Sequence, residues 1–232
     1  DLVNQRCRRV PLQQILGHAG FMGLDFKVNY HVLIPRPDTE TLVETVMERE
    51  KDREIRVLDM CAGSGCIAIS LKHYGQYREV SAAETDREAV HVAMRNASIL
   101  KTDVRIVQSD LFAAFEGGTD PGEAGDGMFD IIVSNPPYIP SGEIGSLEPE
   151  VRDHDPRIAL DGGPDGLDFY RRITEGAVRH LVPGGRIYYE IGCSQAEAAA
   201  GILRAAGFTD IRTVQDLAGL DRVVYGTAER KD

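Results

Sequence analysis

The apolar run in 129-FDIIVSNPPYIP-140 reads as a buried strand that stops at Asn135-Pro136-Pro137-Tyr138. Proline lacks an N–H for the sheet ladder and pushes the residue before it into extended geometry. A plain turn would more often use Gly or Asp. The residues found here offer acceptors instead: an asparagine oxygen beside two N–H donors, and proline carbonyls on a rigid backbone. The Asn135 oxygen and the Pro136 carbonyl can together accept two hydrogen bonds from one planar NH2 group. Tyr138 can cover the flat face of whatever carries that group. The implied chemistry is capture of a planar amine or amide nitrogen.

A second constellation lies upstream in 59-DMCAGSG-65. Glycines after the first strand of an open α/β sheet let a ligand approach the backbone at the carboxyl ends of the strands. The spacing is G-x-G, without the third glycine of the dinucleotide fingerprint. Glu84 follows about 20 residues on, at the tip of the next strand, where ribose-binding acids sit in such folds. Asp86, two residues further, reads as a helix N-cap. Asp110 in 109-SDLF-112 falls at the same sheet edge. It suits an adenine amino group, with Leu111 packing on the ring; a turn or helix cap is the other reading.

These residues need a frame to hold them. From Arg56 on, strand-like and helix-like segments alternate. Strands are expected over 57–60, 79–84, 104–107, 129–134, 186–191, 209–214 and 222–227. Helices are expected over 66–74, 86–100 and 167–181, with a fourth capped by Ser194 and running to Ala206 ahead of Gly207. Alternation of this kind predicts an α/β fold with a parallel sheet covered by helices on both faces. Only residues 215–221 separate the last two strands, which leaves no room for a helix, so they pair antiparallel. The prediction is therefore a seven-stranded Rossmann-like sheet of the methyltransferase type, mostly parallel, with a C-terminal antiparallel hairpin strand.

Residues 51–232 form this domain. Residues 1–50 read as the remnant of an N-terminal region, with a hairpin in Phe21 to Val32 and a lead-in helix opened by Pro37, Asp38 and Thr39. The chain starts within a helical pattern at Leu2, Val3 and Arg6, so a segment ahead of it is expected. The acidic, Gly-rich stretch 113–128 reads as a mobile surface loop.

Composition narrows the classes. With 42% hydrophobic residues the chain can bury a sizeable core, and its net charge of −11 argues against a grip on a phosphate backbone. Arg6, Arg8 and Arg9 read as solvated charges. The cysteines, Cys7, Cys61, Cys66 and Cys193, form no CxxC pair and no zinc spacing, so a reduced compartment and no metal are expected. No signal peptide opens the chain and no apolar run is long enough to span a membrane, so a cytoplasmic protein without a membrane partner is expected.

In this order DMCAGSG, AAE, SDLF and SNPPY resemble the class I S-adenosylmethionine-dependent methyltransferases of the amino-methylating type. More closely, 17-GHAGFMGLDF-26, 34-IPRPDTE-40, SNPPYIP and 157-RIALDGGPDGLDFYRRI-173 resemble the protein-(glutamine-N5) methyltransferases of peptide chain release factors, the HemK/PrmC family. The resemblance covers nearly the whole chain. It implies transfer of a methyl group from S-adenosyl-L-methionine to the glutamine side-chain nitrogen of the release factors' Gly-Gly-Gln motif, leaving S-adenosyl-L-homocysteine. By this resemblance Asp59, Cys61, Ala62, Gly63, Ser64, Gly65 and Glu84 hold the cofactor, with Asp110 and Leu111 near its adenine. Asn135, Pro136, Pro137 and Tyr138 hold the glutamine amide, with Asn135 also against the cofactor and Phe21 lining the same socket. Asn135, Pro136 and Tyr138 are the expected catalytic residues. The partner is a release factor, with no direct nucleic-acid role; the family also carries an N-terminal helical domain, of which almost nothing is expected in this chain.

Three departures stand out. Cys61 occupies the usual first loop glycine, Glu84 the usual aspartate, and Asp155 in 152-RDHDP-156 a common glutamate. No base is obvious, and His154 is the nearest candidate. Two rival readings remain. An adenine-N6 DNA or RNA methyltransferase would use the same socket but needs a base-flipping surface. A non-catalytic cofactor-binding module would have no use for the intact Asn-Pro-Pro-Tyr.

Overall fold

The computed structural model describes residues 2–116 and 128–229. Two short helices, α1 (Leu2–Cys7) and α2 (Leu12–Leu16), lead into a hairpin of β1 (His18–Phe21) and β2 (Leu24–Lys27). The expected hairpin lay further on, in 21–32. The chain instead turns on Met22 and Gly23, both at positive φ, the two-residue turn whose twist matches paired strands. The turn is pinned from outside: Met22 N–H donates to Glu40 Oε1 at 2.6 Å, and Tyr74 Oη donates to the Met22 carbonyl at 2.6 Å.

Helix α3 (Pro37–Arg49) starts where the sequence signals it, with proline in its first turn and Asp38 and Glu40 beside the positive end of its dipole. The alternating elements follow: β3 (Arg56–Met60), α4 (Cys66–Ser70, extended by a π turn over Leu71–Gly75), β4 (Glu79–Glu84), α5 (Arg87–Ile99) and β5 (Arg105–Gln108). Then come β6 (Phe129–Ser134), the one-turn α6 (Pro149–Arg152), α7 (Asp168–His180), β7 (Leu181–Glu190), α8 (Ala196–Ala205), β8 (Phe208–Gln215) and β9 (Asp221–Ala228).

The seven-stranded sheet has the order β5-β4-β3-β6-β7-β9-β8. All pairs are parallel except those of β9, which runs against both β7 and β8. Its strands alternate inward side chains to two cores. Val57, Ile131, Val133 and Tyr188 join Leu42, Val46 and Ile69 on one face. Leu58, Ile132, Ile187 and Tyr189 join Ile173, Ala177 and Leu203 on the other. Burial on both faces is why the strands read as unbroken apolar runs.

Three local readings need correction. Strand β7 begins at Leu181, because Leu181 already pairs with Phe129 before Pro183-Gly184-Gly185 shifts the register. Gln195, not Ser194, stands at the start of α8, and it makes no side-chain cap; its amide is committed elsewhere, as described below. Within 113–128, Ala113–Phe115 forms a 3-10 turn with Phe115 packed edge-on against Phe129; residues 117–127 of that stretch lie outside the described residues.

Glu50, at the end of α3, accepts two hydrogen bonds from Arg186 Nη1 at 2.8 and 2.9 Å and one from Tyr188 Oη, tying the helix to β7. Removing one partner of a buried pair leaves the other charge uncompensated. Glu50→Ala should therefore lower the unfolding free energy by about 2 kcal/mol, below the fully buried range because Arg186 is part-exposed. Urea denaturation of the variant beside the parent chain measures it.

Candidate active site

Strand β3 is followed by β4 and β5 on one side, and the chain then crosses back to β6 on the other. The carboxyl ends at this reversal are left open, the place where open α/β sheets bind ligands. A cavity of about 270 Å3 lies there. Its walls include Cys61, Ala62, Gly63 and Ser64 after β3, Glu84 at the end of β4, Asp110 after β5, and Asn135 and Pro137 after β6. Opposite stand Ile34, Pro35, Arg36 and Thr39 from the entry to α3, with Ile158, Phe169 and Arg172 closing a third side.

Glu84 is held by backbone donors alone. Its Oε2 accepts from Gly63 N–H at 2.8 Å, and its Oε1 from the N–H groups of Thr85 and Asp86 at 2.8 and 3.0 Å. The acid thus organises the glycine loop as well as facing the cavity. Asp86 is the N-cap expected of it, accepting from Ala89 N–H at 2.8 Å. Asp110 pairs with Arg172 Nη2 at 2.9 Å across the rim.

Asp59, Gly65 and Leu111, expected at the cofactor, are not among the residues that line the cavity. Asp59 is fully buried and accepts from Ala68 N–H at 3.0 Å, fastening the first turn of α4 to β3. Gly65, at φ 78°, packs against α5: a Cβ there would stand 3.2 Å from Ala93 Cβ. Leu111 is buried in the core with Met60 and Phe112. Cys61 has φ 64°, a left-handed conformation that favours glycine, so its departure from the family pattern is strained. Burial first, then the charges of Glu84 and Asp59, push its thiol far up, and burial pushes Cys66 up to about 12. Both stay protonated and neither is a nucleophile.

Asn135 Nδ2 donates to Thr39 Oγ1 at 3.2 Å, joining the end of β6 to the first turn of α3. Beside them Glu190, ending β7, is buried, and its Oε2 has no hydrogen-bond partner. Burial raises its carboxyl to about 7 against the opposing donors Thr39 and Asn135 and the charge of Arg222. Arg222 itself is shared between Asp216 at 3.0 Å and Asp38 at 3.3 Å. Arg36 bonds Asp155 Oδ2 at 2.5 Å, and burial lifts that carboxyl to about 6.

The backbone after Asn135 is clamped by the loop 160–166. Ile139 N–H donates to the Leu160 carbonyl at 3.0 Å and Gly162 N–H returns to the Ile139 carbonyl at 2.9 Å. The contact leaves no space for side chains: a Cβ on Gly162 would stand 2.7 Å from Tyr138 Cα, and one on Gly166 2.3 Å from the Tyr138 oxygen. Gln195 Nε2 completes the clamp by donating to that same oxygen at 2.9 Å.

The Tyr138 ring lies by Gly192 and packs on the core of β7 and α7, and Tyr138 is not among the residues that line the cavity. Pro136 is buried and is not among the residues that line the cavity, and no described residue donates to its carbonyl. Phe21 is not among the residues that line the cavity: its ring packs edge-on against Phe26, 6.1 Å away, inside the core with Leu42 and Ile69. His154 is half-buried, with Nε2 3.4 Å from the Arg8 carbonyl, and is not among the residues that line the cavity. Sequence reasoning missed Arg36, Arg172 and Glu190. Glu190 had a readable signal, an acid closing an apolar strand as Glu84 does.

The family profile "Methyltransferase small domain" matches residues 37–146. A "Release factor glutamine methyltransferase" of Geobacter sulfurreducens is 46% identical over 97% of this chain and 76% of its own length. One of Clostridium acetobutylicum is 45% identical over 97% and 77%. Among solved structures, a "protein-(glutamine-N5) methyltransferase (release factor-specific)" from Alicyclobacillus acidocaldarius superimposes with a TM-score of 0.50 at 30% identity, covering 88% of this chain and 99% of that one.

The buried acids carry a pH signature. Burial raises Asp59 to about 8, above its ordinary value in the unfolded chain. A carboxyl raised in this way binds its proton more tightly when folded, so its stabilising effect is full below the unfolded value and is lost as pH rises through about 8. The melting temperature should fall between pH 6 and pH 9. Asp59→Asn, which keeps an acceptor for Ala68, should remove on the order of 5 °C of that fall in scanning calorimetry.

Proposed function

The chain belongs to the release factor glutamine methyltransferases, and from that premise we propose that its cavity joins S-adenosyl-L-methionine to the glutamine of a release factor's Gly-Gly-Gln motif, in the cytoplasm. The observation that carries the reading is the place of Asn135: it lines the same cavity as Gly63 and Glu84 while its NH2 side is committed to Thr39. Its oxygen is thus the group left to meet a donor.

The residues fit the cofactor. Gly63, at φ 54°, has open space where a Cβ would stand, so a ligand can approach its backbone. Glu84 keeps acceptor capacity beyond its three backbone donors, suited to ribose hydroxyls. Ile34, Pro35 and Phe169 supply an apolar wall for a flat ring. When bound, S-adenosylmethionine supplies a sulfonium methyl already activated for transfer.

The remaining difficulty is the acceptor, since an amide nitrogen has its lone pair delocalised into its carbonyl. Asn135 Oδ1 accepts from the glutamine NH2 and holds it in one orientation, which supplies the proximity term. The same oxygen stabilises positive charge as it develops on the nitrogen. Thr39 holds Asn135, and the loop 160–166 holds the backbone behind it. In this scheme the released proton leaves to solvent.

Asn135→Ala should lower kcat/KM for the release factor by about 10³-fold while cofactor affinity changes little, because it removes an acceptor used in the transition state. Glu84→Ala should do the reverse, weakening cofactor binding at least tenfold, the range for a charged hydrogen-bonding group. Calorimetric binding of S-adenosylmethionine beside radiolabelled methyl transfer separates the two. Equal loss of both in Asn135→Ala would break the assignment.

A further inference from the structure

Glu190 is out of place for a residue with only a structural role. It is 2% exposed, its Oε2 has no partner, and a buried acid left in this state destabilises the fold. It lies where β7, the tail of β6 and the first turn of α3 meet: Ser134 pairs with Tyr189, so Asn135 and Glu190 leave neighbouring strands side by side, and Thr39 and Asn135 both act to lower its carboxyl. Asn135 Nδ2 also reaches Thr39 Oγ1. An ionised carboxylate can only accept. Facing it, Asn135 must present its NH2 side, and its oxygen is left for the cavity.

We propose that Glu190 is a positioning residue for methyl transfer, fixing the Asn135 amide with its oxygen toward the cavity so that Asn135 accepts from the incoming glutamine nitrogen. The inference rests on the substrate reading above and deepens it. A neutral Glu190 would itself donate, and Asn135 would then be free to turn its NH2 toward the substrate NH2, setting donor against donor. The ionised form is therefore the productive one, although burial disfavours it.

The groups that face Glu190 set its charge from several sides. Asp38 in α3 opposes ionisation and Arg222 in β9 favours it; Tyr138, Tyr170 in α7 and Cys66 in α4 are the other titratable neighbours. Arg222 is divided between Asp216 and Asp38, so Glu190 receives only part of its charge. With the carboxyl raised to about 7, the productive form gains population as pH rises through neutrality.

The test is methyl transfer to a purified release factor, with kcat and KM measured separately from about pH 6 to 9, for the parent chain, Glu190→Gln, Glu190→Asp and Asn135→Ala. Glu190→Gln is expected to lose about 10²-fold in kcat/KM at pH 8, as misorientation of a reacting group does, with S-adenosylmethionine affinity unchanged. It should also lose the acid limb that the parent shows near neutrality, and Glu190→Asp should recover part of the rate. A Glu190→Gln enzyme with the parent's kcat/KM, or with the same acid limb, overturns the inference. If that variant does not fold, the parent decides: a flat kcat/KM profile across neutrality overturns the role and an acid limb sustains it. Asn135→Ala separates the two readings. Its full activity would sink the substrate assignment, whereas its inactivity beside an unaffected Glu190→Gln would sink only the role of Glu190.

Discussion

Everything in this molecule hangs on the reversal of strand order about β3. Because β4 and β5 build outward on one side and β6 begins the other, no helix can cover the carboxyl ends of β3 and β6. Apolar strands paired along their length deliver their terminal residues to that uncovered edge in register. Met60 lies beside Ala83 and Ser134, so Cys61, Glu84 and Asn135 emerge together. The second requirement is rigidity. The prolines after Asn135 limit the backbone, and loop 160–166 lies so close against it that Gly162 and Gly166 cannot carry a side chain. Position comes from pairing and orientation from close packing.

The interior near the cavity is acidic in a protein already at −11. Asp59, Asp155 and Glu190 are all buried, and burial moves each carboxyl upward. Only Asp155 has an arginine bonded to it at close range. Such groups work against the folded state at neutral and higher pH, and the two packed cores offset them.

The sheet was legible because parallel strands buried on both faces announce themselves by length and apolarity: 79–84 and 129–134 are the strands expected. Asp86 capped its helix as its spacing indicated. Errors came where partners distant in sequence decide. Ser194 looked like a cap, but Gln195 is drawn to the Tyr138 carbonyl 57 residues away. The tight turn at Met22-Gly23, which packs Phe21 against Phe26 in the core, was not readable either. Tyr138 could be placed in the chain, but not the close approach of loop 160–166 to its backbone. Thr39 and Glu190 meet Asn135 from 96 and 55 residues away; the first separation is that of their hydrogen bond, and no periodicity encodes either.

Strand β9 has a consequence for synthesis. It leaves the ribosome after β8, yet its place is between β7 and β8, antiparallel to both. Until it arrives, the edge of β7 carries unpaired N–H and C=O groups along an apolar strand, the condition under which chains pair with one another. Arg222 comes with it, so the acids at Asp38 and Glu190 lack their counter-charge until that moment. A nascent chain stalled after β8 would thus be both sticky and electrostatically frustrated, and its closing strand sets when folding can finish.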